Sequence, residues 1–101
     1  MSKPFYADYV NRMLRFYVRK VYRERMTVEN PVDKKNCLCA AKVLDALPEK
    51  DRNVIMDIYE GGDTLADNIY HVSKEMNINQ DVLWTLMSKV TKEIAKERGL
   101  V

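Results

Sequence analysis

Apolar residues recur along the chain at steps of three and four, the period of a helix packed on one side. Tyr6, Val10, Met13, Leu14, Tyr17, Val18 and Val21 trace one broad apolar face and predict a first helix from about Pro4 to Arg25. Ser2 is a suitable N-cap, and Pro4 fits the first turn, where its missing N–H costs nothing. On another face Asp8, Arg12, Arg15, Arg19 and Arg23 follow one another, so this long helix is amphipathic and carries an arginine stripe. It breaks between Thr27 and Pro31, because Asn30 precedes a proline and is pushed out of helical geometry.

The same period predicts four more helices. The second runs from Asp33, its expected cap, to Leu47, with Cys37, Leu38, Ala41, Val43, Leu44 and Leu47 facing inward. The third starts at Pro48, with Glu49 and Asp51 in the first turn, where acids favour the positive end of the helix dipole. Val54, Ile55, Ile58 and Tyr59 are its buried set, and Gly61-Gly62 ends it. Asp63 or Thr64 caps a fourth helix, about Leu65 to Met76, with Leu65, Ile69, Val72 and Met76 inward. Met76-Asn77-Ile78 reads as a tight turn, since Asn tolerates the left-handed conformation that ends a helix. Asn79 then caps a fifth helix, about Gln80 to Arg98, with Leu83, Leu86, Met87, Val90 and Ile94 inside. The expected fold is all-α: one five-helix domain over residues 1–101, with N-terminal helices in 1–46 and a helix-turn-helix unit in 47–101.

Composition narrows the picture further. A chain of 101 residues has room for one domain, and three Gly with three Pro leave little material for hairpins or long loops. The N-terminus lacks an apolar run behind a basic region, and no stretch approaches the roughly 20 apolar residues of a membrane span. A cytoplasmic protein without membrane partners is the expectation. Cys37 and Cys39 point about 200° apart on a helix, which excludes a disulfide between them. His71 has no ligand spacing to that pair, so both thiols are expected to pack as small apolar groups, with no metal and no cofactor. Net charge is +2, but residues 1–25 carry seven cations against two acids, leaving −3 for the remainder. Asp45 to Asp67 is the acidic stretch, and Lys89, Lys92, Lys96 and Arg98 return positive charge to the C-terminus.

The chemistry that stands out lies at the C-terminus. Two helices joined by a three- or four-residue turn, the second polar on its outer face, can form a DNA-reading pair, and the same pattern also fits an ordinary amphipathic helix with a solvated outer face. With Leu86, Val90 and Ile94 turned to the core, Asp81, Thr85, Ser88 and Lys92 point outward, flanked by Trp84 and Lys89. Thr and Ser bond base edges or phosphates, Lys neutralises phosphate, and the helix N-terminus offers free N–H groups to anions. Trp84 has two readings, burial against the fourth helix or exposure as an anchor for DNA or a partner.

Leu47-Pro48-Glu49-Lys50-Asp51-Arg52-Asn53-Val54-Ile55 resembles the LPExxRxVxxL-type opening of region 4 of bacterial sigma factors, and the likeness covers residues 47–98. Val72-Ser73-Lys74-Glu75-Met76-Asn77-Ile78-Asn79 is similar to its IAxxLGIS turn, with Asn77 where the family has Gly and Asn79 at its Ser cap. Leu83, Met87 and Ile94 continue the apolar spacing of the family's recognition helix, although its usual arginine cluster is absent. The resemblance implies a helix-turn-helix scaffold that docks in the major groove. By size and by this C-terminal half, the chain also resembles the short sigma-like or phage-type regulators of bacterial mobile elements.

The leading expectation is therefore a non-enzymatic transcription regulator that binds duplex DNA. Thr85, Ser88, Lys89 and Lys92 are its main contacts, with Gln80 and Asp81 at the leading end and Trp84 on the flank. Asp81 on the leading face would repel phosphate unless it accepts from a cytosine amino group. Arg12, Arg15, Arg19 and Arg23 form a secondary candidate for backbone contact. The alternative is a protein-interaction module that docks on RNA polymerase or another regulator, with Asp45–Asp67 as its contact surface. A symmetric reader would need a homodimer, for which the first helix offers the longest apolar surface. No Ser/His/Asp arrangement can be assembled. The pairs Glu49/Asp51 and Asp63/Asp67 are explained by their places at helix starts.

Overall fold

The first helix begins three residues later than its apolar pattern suggests. In the computed structural model, which describes residues 3–101, Pro4 to Tyr6 form a turn closed by the Ala7 N–H donating to the Pro4 carbonyl (3.0 Å). Helix α1 then runs Ala7–Phe16, with Tyr6 at the N-cap position and no side-chain cap. The expected Ser2 cap lies outside the described residues. Near this end Asp8 meets Lys3 at 2.7 Å, and that hydrogen bond, helped by the ammonium charge, holds the Asp8 carboxyl below the usual range.

From Tyr17 to Arg23 the helix widens into a π-helical segment. An i→i+5 turn advances each residue through a smaller angle than an α turn, so positions that share a face at α spacing separate. Val18 stays fully buried, while Arg23 swings toward the third helix. Arg25, in the left-handed region at φ 57°, ends the segment.

Helix α2 spans Pro31–Asp45, two residues ahead of expectation at both ends. Its cap is Asn30 rather than Asp33: the Asn30 Oδ1 accepts from the N–H groups of Val32 (2.8 Å) and Asp33 (3.2 Å), with Pro31 at the first helical position. Leu38, expected inside, is 71% exposed, whereas Cys37 and Cys39 on either side of it are buried. α2 packs against both α1 and the fifth helix, so the buried arc takes in positions about 200° apart, and Leu38 falls on the solvent side with Lys34, Lys35 and Lys42. Both thiols are unpaired, and burial pushes the Cys37 thiol up.

Helix α3, Glu49–Glu60, starts after Pro48 with Glu49 and Asp51 in its first turn. Gly61 ends it, but in an extended conformation (φ −59°, ψ 143°) rather than the left-handed one. Glycine is needed there for space, because a Cβ would run into the buried Asn68 side chain. The Asn68 amide donates to the carbonyls of Ile58 (3.0 Å), Gly61 (3.1 Å) and Asp63 (3.3 Å), closing the C-terminus of α3 from the next helix. Helix α4, Leu65–Met76, is capped by Thr64, whose hydroxyl accepts from the Asp67 N–H at 3.2 Å. Met76, expected inside at its end, is exposed. Helix α5, Gln80–Arg98, ends at left-handed Gly99, where the Leu100 N–H bonds the Ala95 carbonyl at 2.8 Å.

All five helices feed one core. Tyr59 is fully buried in it, as are Val10, Leu14, Val18, Ile55, Ile69 and Ile94. Burial pushes the Tyr59 phenol well above its ordinary range, which keeps it a donor, and it donates to Asn11 Oδ1 at 2.6 Å. Buried Asn36 is likewise satisfied: it donates to the Tyr9 hydroxyl (3.0 Å) and accepts from Arg98 Nε (2.6 Å), tying α1, α2 and α5 together. The Cα radius of gyration is 13.0 Å, the value expected when about 100 residues collapse into one globule. No described helix is long and apolar enough to cross a membrane.

Candidate nucleic-acid interface

The C-terminal unit consists of α4, a three-residue turn and α5. Asn77 adopts the left-handed conformation (φ 54°, ψ 47°) that the turn requires. Two bonds then fix the direction of the exit. The Ile78 N–H donates to the Ser73 carbonyl (3.1 Å), and the Ser73 hydroxyl donates to the Ile78 carbonyl (2.5 Å). Asn79 caps α5 by accepting from the Asp81 N–H at 2.8 Å. Turn and cap are thus fixed by the side chains of Ser73 and Asn79 on either side of left-handed Asn77, which leaves α4 and α5 little freedom relative to each other.

On α5, Leu83, Met87, Val90, Thr91, Ile94 and Ala95 are buried. The inward face is rotated from the expected one: Leu86 is only half-buried, whereas Thr91 and Ala95 are buried, and α2 packs along α5. Gln80, Asp81, Thr85, Ser88, Lys89 and Lys92 are all exposed, and Trp84, 41% exposed, stands at the edge of this face. That answers the two readings of Trp84 in favour of partial exposure.

Charge on this helix is partly consumed within the fold. Lys96 pairs with Glu93 at 3.7 Å, and Arg98 is bound to Asn36. Glu97 is taken by Lys42 at 3.0 Å. Lys89 and Lys92 have no ion-pair partner among the described residues, so their charge is directed at solvent. The opposing charge at the leading end is Asp81.

α4 contributes two groups that the helical pattern alone did not single out. Tyr70 and Lys74 lie one turn apart on its exposed face, with Lys74 Nζ 5.4 Å from the Tyr70 ring centre. They border a shallow groove with Ser73, Asn77, Asn79 and Gln80, directly beside the start of α5. Their i, i+4 spacing opposite Ile69 and Val72 is the signal that could have found them. His71, next to Tyr70, is exposed and packs its ring edge-on at 5.7 Å.

The arginine stripe of the first helix does not form one surface. Arg12 and Arg19 are exposed, but Arg15 donates to the Asp63 carbonyl at 2.6 Å, holding the α3–α4 loop. Arg23, displaced by the π segment, reaches Glu60 at 3.0 Å and Asp57 at 3.9 Å. The acidic stretch is therefore partly neutralised by the chain itself. Asp57 is nevertheless pushed up, by burial first and by Glu60 and Glu75 besides, against the lowering effect of Arg23. Among the described residues no three His, Cys, Asp or Glu side chains gather as a metal site. Comparison with protein-family models, curated proteins and solved structures finds no match for this chain.

Proposed function

We propose that the chain is a DNA-binding transcription regulator of the sigma region 4-like, helix-turn-helix type, with α5 as the helix that enters the major groove. The observation that carries this reading is the Asn77 turn, locked by Ser73 and followed by a helix whose outer face is polar and bears two unpaired lysines. In this arrangement Lys89 and Lys92 neutralise phosphates, and Thr85, Ser88 and Gln80 meet base edges. Asp81 selects for a cytosine amino group at the leading end. Lys74 and Tyr70 add a contact from α4 to the backbone that flanks the groove.

The test is anisotropy of labelled random-sequence duplex, titrated between 50 and 200 mM salt. Binding should weaken steeply with salt, and the double variant Lys89→Ala/Lys92→Ala should lower the slope by about 1.8, at about 0.9 for each phosphate no longer neutralised. Equal binding by wild type and variant would exclude the proposed docking. A second reading, a module that docks on RNA polymerase or another regulator, has one observation in its favour: apolar Val82 is exposed on α5 beside Asp81, and Trp84 partly so. No binding of duplex even at low salt would select it.

A further inference from the structure

Away from α4 and α5, the most apolar groove described on the surface lies between α1 and the start of α2. It encloses about 510 Å³ and is walled by the side chains of Tyr9, Met13, Phe16 and Val32. Val32 is 51% exposed, and Phe5, which precedes Tyr9 by four residues, is 81% exposed, the largest value for any big apolar side chain described. Two charged residues line the same groove, Arg12 and Asp33. They have opposite signs, and neither makes a salt bridge or a side-chain hydrogen bond within the described chain.

We propose that this groove is the seam of a two-fold dimer, in which Phe16 and Val32 of one protomer pack on the same pair of its partner. Arg12 of each protomer then meets Asp33 of the other. A two-fold interface brings a patch against its own copy, so it must be complementary to itself. A rim of one sign would repel its copy and would suit a charged peptide instead. A rim with one unpaired cation and one unpaired anion cancels across a two-fold axis, and that favours a second copy over an acidic or basic partner. The groove takes no residue from α4 or α5, so both recognition helices stay open in the dimer. Standard interfaces bury about 800 Å² per partner, and a seam built on so few side chains sits at the small end, with a dissociation constant in roughly the micromolar range.

The seam is independent of the DNA-binding reading, because its test contains no DNA. Sedimentation velocity on the full chain from 1 to 500 μM should show a reversible monomer–dimer equilibrium. Arg12→Asp places two acids together and Asp33→Arg two cations; each should raise the dissociation constant about tenfold, equivalent to about 1.4 kcal/mol. The double variant Arg12→Asp/Asp33→Arg restores both pairs in swapped form and should return to within threefold of wild type. Val32→Glu, a change at an exposed side chain, should leave only monomer while the circular dichroism melt stays as in wild type. A chain that is monomeric at 500 μM overturns the proposal. So does a dimer indifferent to the single swaps, a double variant no better than either single, or an assembly larger than two.

Discussion

Asn68 and Gly61 are coupled strongly enough that the same substitution should change sign with its background. In the native chain Asn68 supplies both amide hydrogens to three carbonyls, one of them the buried, otherwise open C-terminal carbonyl of Ile58. Net worth of about 1 kcal/mol per bond, with about 1–3 kcal/mol for a carbonyl left without a partner, sets the cost of Asn68→Ala at about 2–4 kcal/mol. Gly61→Ala should also destabilise the native chain, by about 1–3 kcal/mol, since the new methyl displaces the Asn68 amide from those carbonyls. Yet the Gly61 backbone, at φ −59° and ψ 143°, is one that alanine adopts freely. Once Asn68→Ala has removed the obstruction, Gly61→Ala should stabilise by about 0.5 kcal/mol, through the smaller entropy of the unfolded chain. Urea unfolding of the four proteins, followed by circular dichroism, gives the cycle directly. Additive effects of the two substitutions, within about 0.5 kcal/mol, would refute the assignment of Asn68 as the external cap of α3.

Three further outcomes follow from single residues. Asn77→Ala should cost about 1 kcal/mol in thermal unfolding, because alanine in the left-handed region is strained, whereas Asn77→Gly should be neutral or slightly stabilising. Asp57 has a folded pKa raised above its unfolded value, so its protonated form favours the fold and its contribution is lost as pH rises through the folded pKa. Asp57→Asn should therefore raise the melting temperature at neutral pH, with the gain shrinking toward zero as pH falls below the carboxyl range; an undiminished gain at low pH contradicts it. On the proposed reading, Lys74→Ala should weaken binding to all duplex sequences alike without altering the circular dichroism melt, which anisotropy on two unrelated duplexes checks.

What could be read directly from the residues was the local grammar of the C-terminal half. Asn77, Asn79 and Thr64 act through their own backbone preferences or through bonds to N–H groups two or three residues away, and such preferences survive without tertiary context. α5 accordingly spans Gln80–Arg98 as its pattern indicates. The misreadings share a different cause. Asp33 and Asn30 are both good caps, and Pro31 at the first helical position favours the earlier one, a competition that cap preference alone does not rank. Leu38 faces out because two helices flank α2 and claim both cysteines, which is a tertiary decision. The π segment is invisible to a 3.6-residue template, and it moves Arg23 from the stripe to α3. Asn68 was unmarked because a mid-helix asparagine gains its meaning only from the loop it closes. For the candidate interface, the outward set on α5 was legible. Tyr70 and Lys74 were not, because their place beside the start of α5 is set by the direction in which the turn leaves α4.

Charge is where residue counting misleads most, and on the proposed reading it sets how firmly the chain would hold DNA. Seven cations in residues 1–25 suggest a strongly basic arm. In the fold, Lys3, Lys20 and Arg23 are in salt bridges and Arg15 holds a loop carbonyl. The α4–α5 face keeps three lysines without ion-pair partners, Lys74, Lys89 and Lys92. Neutralising about three phosphates gives a slope near −2.7, or roughly a 40-fold loss of affinity between 50 and 200 mM salt. That is the signature of a weak reader. Two copies joined through the α1–α2 groove would present six such lysines, a slope near −5.4 and a loss of roughly 2,000-fold over the same range. The slope on a two-site duplex, measured below and above the dimerisation concentration, therefore separates one bound protomer from two. The Arg12→Asp variant should hold it near the smaller value at protein concentrations where the wild type reaches the larger. If both proposals hold, the low charge of α5 is explained by assembly, with each protomer contributing half of the electrostatic grip.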